Sequence, residues 1–238
     1  MTLLSKRLIT PKAVVGDVHG SISQLETLVD HLRPYHRPII FLGDYVNRGV
    51  DSRQVLEFLL KLQAGNDGHD FLCGNHDWAF LEFIDFNRFD QFALLGGLQT
   101  LASYLPAGTR GDVHTALLDT IPKSHIEFLR TLKPFFEDDD VICSHTGISL
   151  TKPEDRSLAQ MALTSHPELL VAPSCGPKLV ICGHYPQVSL QPLQRRGLIC
   201  LDTGCGTLPE GKLSALLLPE EEVLQVNKSG QVGRITPS

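Results

Sequence analysis

Apolar runs along this chain stop abruptly, again and again, at Gly, Asp, Asn or His. The clearest is Ile39-Ile40-Phe41-Leu42, preceded by Pro38 and emptying into Gly43-Asp44-Tyr45-Val46-Asn47-Arg48-Gly49. An unbroken apolar run of this kind predicts a strand buried on both faces, with Asp44 at its C-terminal end. The same shape recurs at Ala13-Val14-Val15 before Gly16-Asp17-Val18-His19-Gly20, and at Phe71-Leu72-Cys73 before Gly74-Asn75-His76-Asp77. It returns at Val141-Ile142-Cys143 before Ser144-His145, and at Leu179-Val180-Ile181-Cys182 before Gly183-His184. Open α/β sheets keep their ligands at the carboxyl ends of strands. These strand ends are therefore expected to bring carboxylates, a carboxamide and imidazoles to one place.

Between the strands the period changes. Leu25, Leu28, Val29 and Leu32 recur at helical spacing across 21–32, with Ser21 or Ser23 as N-cap and Pro34 as the stop. Val55, Leu56, Leu59 and Leu60 do the same across 52–62. From Trp78 to about Pro134 the alternation gives way to helical segments at 78–86, 97–104 and 124–132, read as a helical cap insert beside the site. Its Phe80, Phe83, Phe86, Phe89 and Phe92 are expected to pack beneath the insert rather than wall a substrate pocket. A short helix is expected over 157–163. Strands at 179–182, 198–201, 213–218 and 222–226 follow too closely for intervening helices, and are expected to form a second sheet packed on the first. Residues 227–238 read as a loose polar tail, and 1–238 as one α/β domain.

Composition narrows the partners. The 238 residues carry a net charge of -6 with 42% hydrophobic and 20% charged residues, enough apolar character for a sizeable core. No lysine and arginine stripe offsets the acidity, which argues against nucleic acid or an anionic membrane as a partner. The first residues form no apolar h-region, and no stretch approaches the roughly 18 to 20 apolar residues of a bilayer span, so a cytoplasmic location is expected. Cys73, Cys143, Cys182 and Cys200 end apolar strands and there is no CxxC pair, so reduced cysteines without thiolate–metal ligation are expected. Asp138-Asp139-Asp140 lacks the spaced ligands and turn glycine of a calcium loop and reads as a solvated turn.

The chemistry lies in the coincidence of the strand ends. Taken alone, an Asp-x-His such as Asp17 and His19 is as readily a helix-capping loop, and His145 or His184 alone would pass as an ordinary histidine. Together with Asp44 and Asn75 they match what a dinuclear centre needs, a bridging carboxylate and several further oxygen and nitrogen donors. The expected assignment puts Asp17, His19 and Asp44 on one ion and Asp44, Asn75, His145 and His184 on the other. Two divalent or trivalent ions are implied, Mn foremost, with Fe or Zn fitting the same donors. A metal-bridging hydroxide would attack an ester phosphorus, Arg48 would hold a phosphate oxygen, and His76 would give a proton to the leaving alkoxide.

In their order along the chain, these motifs together with Ser144-His145-Thr146-Gly147 resemble the PPP family of calcineurin-like metallophosphoesterases. That family includes serine/threonine protein phosphatases and the bacterial symmetrical dinucleoside tetraphosphatases. Leu201-Asp202-Thr203-Gly204-Cys205 with Gly211-Lys212-Leu213 is similar to the C-terminal signature of the bacterial branch, and Gly96 to Tyr104 resembles a segment of its protein-phosphatase-like members. The resemblance, covering about 12–226, implies an α/β fold with a two-sheet β-sandwich flanked by helices, and the metal roles above. Protein phosphatases of the family usually carry Asp where this chain has Asn47, a partner of the catalytic histidine. They also place a further phosphate-binding arginine in an interval where this chain offers only Arg156.

The leading expectation is phosphomonoester hydrolysis, on phosphoproteins bearing Ser/Thr or Tyr phosphate or on a small phosphoester, with His76, Arg48 and Asn47 catalytic and Arg48 and Asn75 touching substrate. Dinucleoside tetraphosphate hydrolysis stands second, because a long anionic chain wants more cations than this acidic sequence offers. A non-catalytic phosphoprotein-binding module stands third.

Overall fold

Successive residues of each long strand face opposite sides, and this alternation sorts the apolar side chains into three layers. The computed structural model describes residues 10–65 and 67–235. In chain order the strands are β1 (Lys12–Val15), β2 (Ile39–Phe41), β3 (Asp70–Phe71), β4 (Phe135–Glu137), β5 (Val141–Ser144), β6 (Leu179–Cys182), β7 (Leu193–Arg195), β8 (Leu198–Cys200), β9 (Leu213–Leu218), β10 (Glu222–Val226) and β11 (Val232–Ile235). The helices are α1 (Ile22–Leu32), α2 (Ser52–Ala64), α3 (Asn75–Phe86), α4 (Phe89–Leu94), α5 (Gly97–Tyr104), α6 (Val113–Thr120) and α7 (Lys123–Arg130). One sheet runs β11-β10-β9-β1-β2-β3 and the other β4-β5-β6-β8-β7.

Val14, Ile40 and Leu42 on the first sheet face Val141, Cys143, Ile181 and Ile199 on the second, forming the core between the sheets. Their neighbours Val15 and Phe41 turn outward and meet α1, α2 and the later helices through Leu25, Leu56, Phe80 and Phe128. On the far side, Ile142, Val180 and Cys182 are covered by Met161 and Leu169. Each such side chain contributes about 1.5–3 kcal/mol by leaving water. The result is a two-sheet sandwich with helices on its outer faces.

Within each sheet the site-bearing strands are parallel: β1 with β2 and β2 with β3 in one, β5 with β6 and β6 with β8 in the other. Within each sheet, their carboxyl ends thus open on one edge. Phe80, Phe83 and Phe92 stack in the core under the helical segment, as expected, while Phe86 is exposed.

The structure corrects several expectations. β9 and β10 leave the second half of the chain and join the first sheet, β9 antiparallel to β1. All of β9 is buried, so it needs a ladder partner on each side, and the free edge of β1 supplies one. The expected loose tail contributes β11, paired along β10; residues 236–238 lie outside the described residues. The short strands β4 and β7 escaped the pattern because their residues are only partly buried. Helix α3 begins at Asn75 rather than Trp78, so Asn75 and His76 occupy its first turn. A π-helical turn spans Ala159–Leu163 where a short helix was expected. Asp138 makes the expected turn, accepting the N–H groups of Asp140 and Val141 at 3.0 Å, and its carboxylate also neutralises buried Lys12.

Candidate active site

Asp44 leaves β2 in a left-handed conformation, φ 53°, and so do His19, Asn47, Arg48 and His184, with φ between 44° and 70°. Non-glycine residues in this region cost of order 1–3 kcal/mol each, and such strain gathers where side chains are held for function. The loop of Asp44 is fixed by a carboxylate the sequence reading had not assigned a role. Asp77, wholly buried on α3, accepts N–H groups from Asp44 at 2.7 Å, Tyr45 at 2.9 Å and Gly74 at 3.0 Å.

Asp44 is the hub. Its Oδ2 lies 3.3 Å from His145 Nε2, 3.6 Å from His19 Nε2 and 3.8 Å from His76 Nε2, and its Oδ1 accepts the His76 N–H at 3.0 Å. Burial works to raise its pKa, yet the surrounding imidazoles hold it well below the ordinary carboxylate range. Asp17, at the end of β1, accepts the backbone N–H of His184 at 3.1 Å. Burial raises the Asp17 pKa, and the carboxylates of Asp202 and Asp44 raise it further. Glycine is required beside both acids: a Cβ on Gly183 would lie 1.9 Å from Asp17 Oδ1, and one on Gly74 2.0 Å from Asp44 Oδ1.

The imidazoles are aimed from behind. His19 Nδ1 donates to the Val46 carbonyl and His145 Nδ1 to the Leu42 carbonyl, both at 3.1 Å, which aims each Nε2 at Asp44. His184 places Nε2 2.6 Å from Ser165 Oγ and turns Nδ1 inward, 2.9 Å from Asn75 Oδ1 and 3.2 Å from His145 Nε2. Burial pushes the pKa of His19 down to about 3 and that of His184 to about 4, so both are neutral rings with lone pairs to give.

This donor set fits cations. Against burial, which lowers it, the Asp44 carboxylate raises the pKa of His145, so positive charge is drawn to its Nε2, 3.0 Å from Asn75 Oδ1, and three buried carboxylates, Asp17, Asp44 and Asp202, raise the cost of one another's charge. Such an arrangement is relieved by positive charge between the donors. Donor atoms of Asp17, Asp44 and His145 form one candidate ligand group, and those of His19, Asp44 and His76 another. Asp44 is common to both, as a bridging carboxylate must be.

His76 stands apart in its other contacts. Its Nδ1 is 3.2 Å from Asn47 Nδ2 and its Nε2 3.2 Å from Arg48 Nη2, while the other terminal nitrogen, Nη1, donates to Thr207 Oγ1 at 2.8 Å. Arg48 is exposed at the rim, and its charge reaches His19, His76, His184 and Asp202. Arg156, the arginine of the interval between the two late histidine motifs, is committed to Glu137 at 2.8 Å and to the Pro153 carbonyl.

A family model described as calcineurin-like phosphoesterase matches residues 10–188, spanning these strand ends from Asp17 to His184. The chain belongs to the calcineurin-like phosphoesterases. Among curated relatives, an asymmetrical bis(5'-nucleosyl)-tetraphosphatase from Oceanobacillus iheyensis is 25% identical over 90% of each chain. A symmetrical bis(5'-nucleosyl)-tetraphosphatase from Bordetella pertussis is 27% identical over 89% of this chain and 94% of its own. Among solved structures, a cold-active protein tyrosine phosphatase superposes with a TM-score of 0.59 at 17% identity, covering 95% of this chain and 78% of that one. That structure shares the fold, and family membership makes this chain a phosphoester hydrolase. No described helix is long and apolar enough to cross a membrane.

Proposed function

We propose that this protein is a dinuclear-metal phosphatase acting on phosphomonoesters, on a phosphoprotein or a small phosphoester. The observation that carries the reading is the convergence of His19, His76 and His145 on one carboxylate oxygen of Asp44, with Arg48 at the open side. Asp17, His19 and Asp44 would hold one ion, and Asp44, Asn75, His145 and His184 the other. Manganese is the proposed metal, suited to the carboxylate and carbonyl oxygens of the set, and the imidazoles admit iron or zinc as well. When bound, the pair supplies Lewis acidity and an activated water for attack at phosphorus.

The chain's own residues do the rest. Arg48 binds a phosphoryl oxygen through its guanidinium, and Thr207 braces it at 2.8 Å. His76 presents Nε2 to the leaving oxygen beside that guanidinium. Asn75 carries a substrate-side amide on the first turn of α3. Among the described residues one guanidinium, that of Arg48, reaches the buried groups of the site, which suits one phosphoryl group and favours a monoester over a polyphosphate chain.

Dinucleoside tetraphosphate cleavage is the second reading, favoured by the two relatives aligned along about nine tenths of this chain. The cytoplasm fits six free, buried cysteines. The test is a phosphorus NMR competition in which the manganese-loaded protein meets phosphoserine, phosphothreonine and phosphotyrosine peptides together with diadenosine tetraphosphate. Orthophosphate appearing while the dinucleotide persists is the expected result. Nucleotide products with intact peptides would transfer the assignment to the second reading.

A further inference from the structure

Asn47 does not meet His76 on its own. The side chain is wholly buried, and its Oδ1 accepts the hydroxyl of Thr100, on α5, at 2.8 Å. The backbone N–H of Asn47 also donates to Thr100 Oγ1 at 2.9 Å and to Ser52 Oγ, at the start of α2, at 3.2 Å. The two hydroxyls are themselves 3.0 Å apart, and both residues are fully buried. A threonine hydroxyl has one proton, and an amide has one accepting end and one donating end. Which end of Asn47 faces His76 is therefore decided by where Thr100 sends its proton.

With the Thr100 proton on Asn47 Oδ1, the amide NH2 is turned to His76 Nδ1, 3.2 Å away. Nδ1 must then accept, and the ring carries its proton on Nε2. That nitrogen lies 3.2 Å from the Arg48 guanidinium, so two donors stand side by side at the mouth of the site. Adjacent donors repel until anionic oxygens accept from them, a demand one phosphoester group meets with its phosphoryl oxygen at Arg48 and its leaving oxygen at His76. If the amide turned over, Asn47 Oδ1 would take a proton from Nδ1. Nε2 would then become an acceptor and draw the guanidinium onto itself.

We infer that Thr100 is a positioning residue: its hydroxyl, braced by Ser52, fixes the Asn47 amide and so holds His76 as an Nε2–H donor to the leaving oxygen, beside Arg48 on a phosphoryl oxygen. This deepens the phosphatase reading and rests on it for the identity of the ligand. It also gives a role to the Gly96 to Tyr104 segment. The Gly96 carbonyl of that segment accepts the Arg48 N–H at 3.1 Å, and Thr100 sets the partner of His76.

The test compares wild type with Thr100→Val and Thr100→Ser in zinc-loaded protein labelled with nitrogen-15 histidine, with the His76 ring assigned by its loss in His76→Gln. Thermal melts verify that each variant is folded. Wild type and Thr100→Ser are expected to show a protonated Nε2 and a bare Nδ1 on His76, and Thr100→Val to shift the proton wholly or partly to Nδ1. On an alkyl phosphate, whose leaving oxygen needs a proton, Thr100→Val is expected to lose about tenfold in kcat/KM, and Thr100→Ser to stay within about twofold of wild type. An unchanged His76 tautomer in folded Thr100→Val overturns the inference. Because the tautomer is read without turnover, a protein that hydrolyses no monoester would overturn the phosphatase reading while leaving the positioning result to be judged by itself.

Discussion

Asp77 accepts the backbone N–H of Asp44 at 2.7 Å from inside the first turn of α3. It touches no candidate ion, yet it also takes the N–H groups of Tyr45 and Gly74 and so holds the loop that aims the central carboxylate. Removing it leaves three buried donors unpaired, each worth about 1–3 kcal/mol. Asp77→Ala is expected to lose metal affinity about 10- to 100-fold, read by titration against a chelator, and to melt at lower temperature. Full affinity in a folded Asp77→Ala protein would show that the loop holds itself.

Glycine at 183 is demanded by Asp17 alone. Gly183→Ala puts a methyl 1.9 Å from Asp17 Oδ1, inside van der Waals contact, so the carboxylate must swing away from the site. Loss of one bound ion per chain and at least about a hundredfold drop in kcat are expected, with the far-ultraviolet dichroism unchanged. Metal content is the deciding readout.

Acid should unfold the metal-free protein through its buried imidazoles. The folded-state pKa values of His19 and His184, about 3 and about 4, lie below the ordinary 6.5. Below pH 6.5 the unfolded chain therefore binds more protons at these rings, and stability falls as pH drops toward 4. Asp17, with its raised pKa, works in the opposite direction, so the contribution is isolated by comparison. Between pH 6.5 and 4 the wild type is expected to lose about 5 °C more in Tm than the His19→Gln, His184→Gln double variant. Parallel profiles would contradict the assignment.

Asn47 offers His76 a hydrogen bond without charge. Asn47→Asp would set a carboxylate beside the ring and favour its protonated form. Turnover of alkyl phosphates, which need a proton on the leaving oxygen, is expected to rise about tenfold, with little change on aryl phosphates. An unchanged rate on alkyl phosphates would count against His76 as the proton donor.

The strand ends were legible because an apolar run halted by glycine and a polar residue is a local signal. Asp17, His19, Asp44, Asn75, His145 and His184 all carry it, and all six come together. Residues that act through another group leave no such mark. Asp77 works through backbone N–H groups, Thr100 through Asn47 and Ser165 through His184, and each looks like an ordinary polar residue of a helix or loop. Asp202 was visible only as part of a signature, and its burial beside Asp17 came from the pairing of β8 with β6. The same limit applies to the fold. The apolar character of β9 announced a buried strand, but its partner β1 lies about 200 residues earlier, and adjacency in sequence pointed to the wrong sheet.

Asp44, common to both candidate ligand groups, would bridge two ions among these strand ends. Anomalous diffraction from a manganese-loaded crystal measures this directly. Two peaks about 3.5 to 4 Å apart are expected, one beside His19 and the other beside His145 and His184, with Asp44 Oδ2 between them. A single peak, or two peaks that do not share Asp44, would contradict the account.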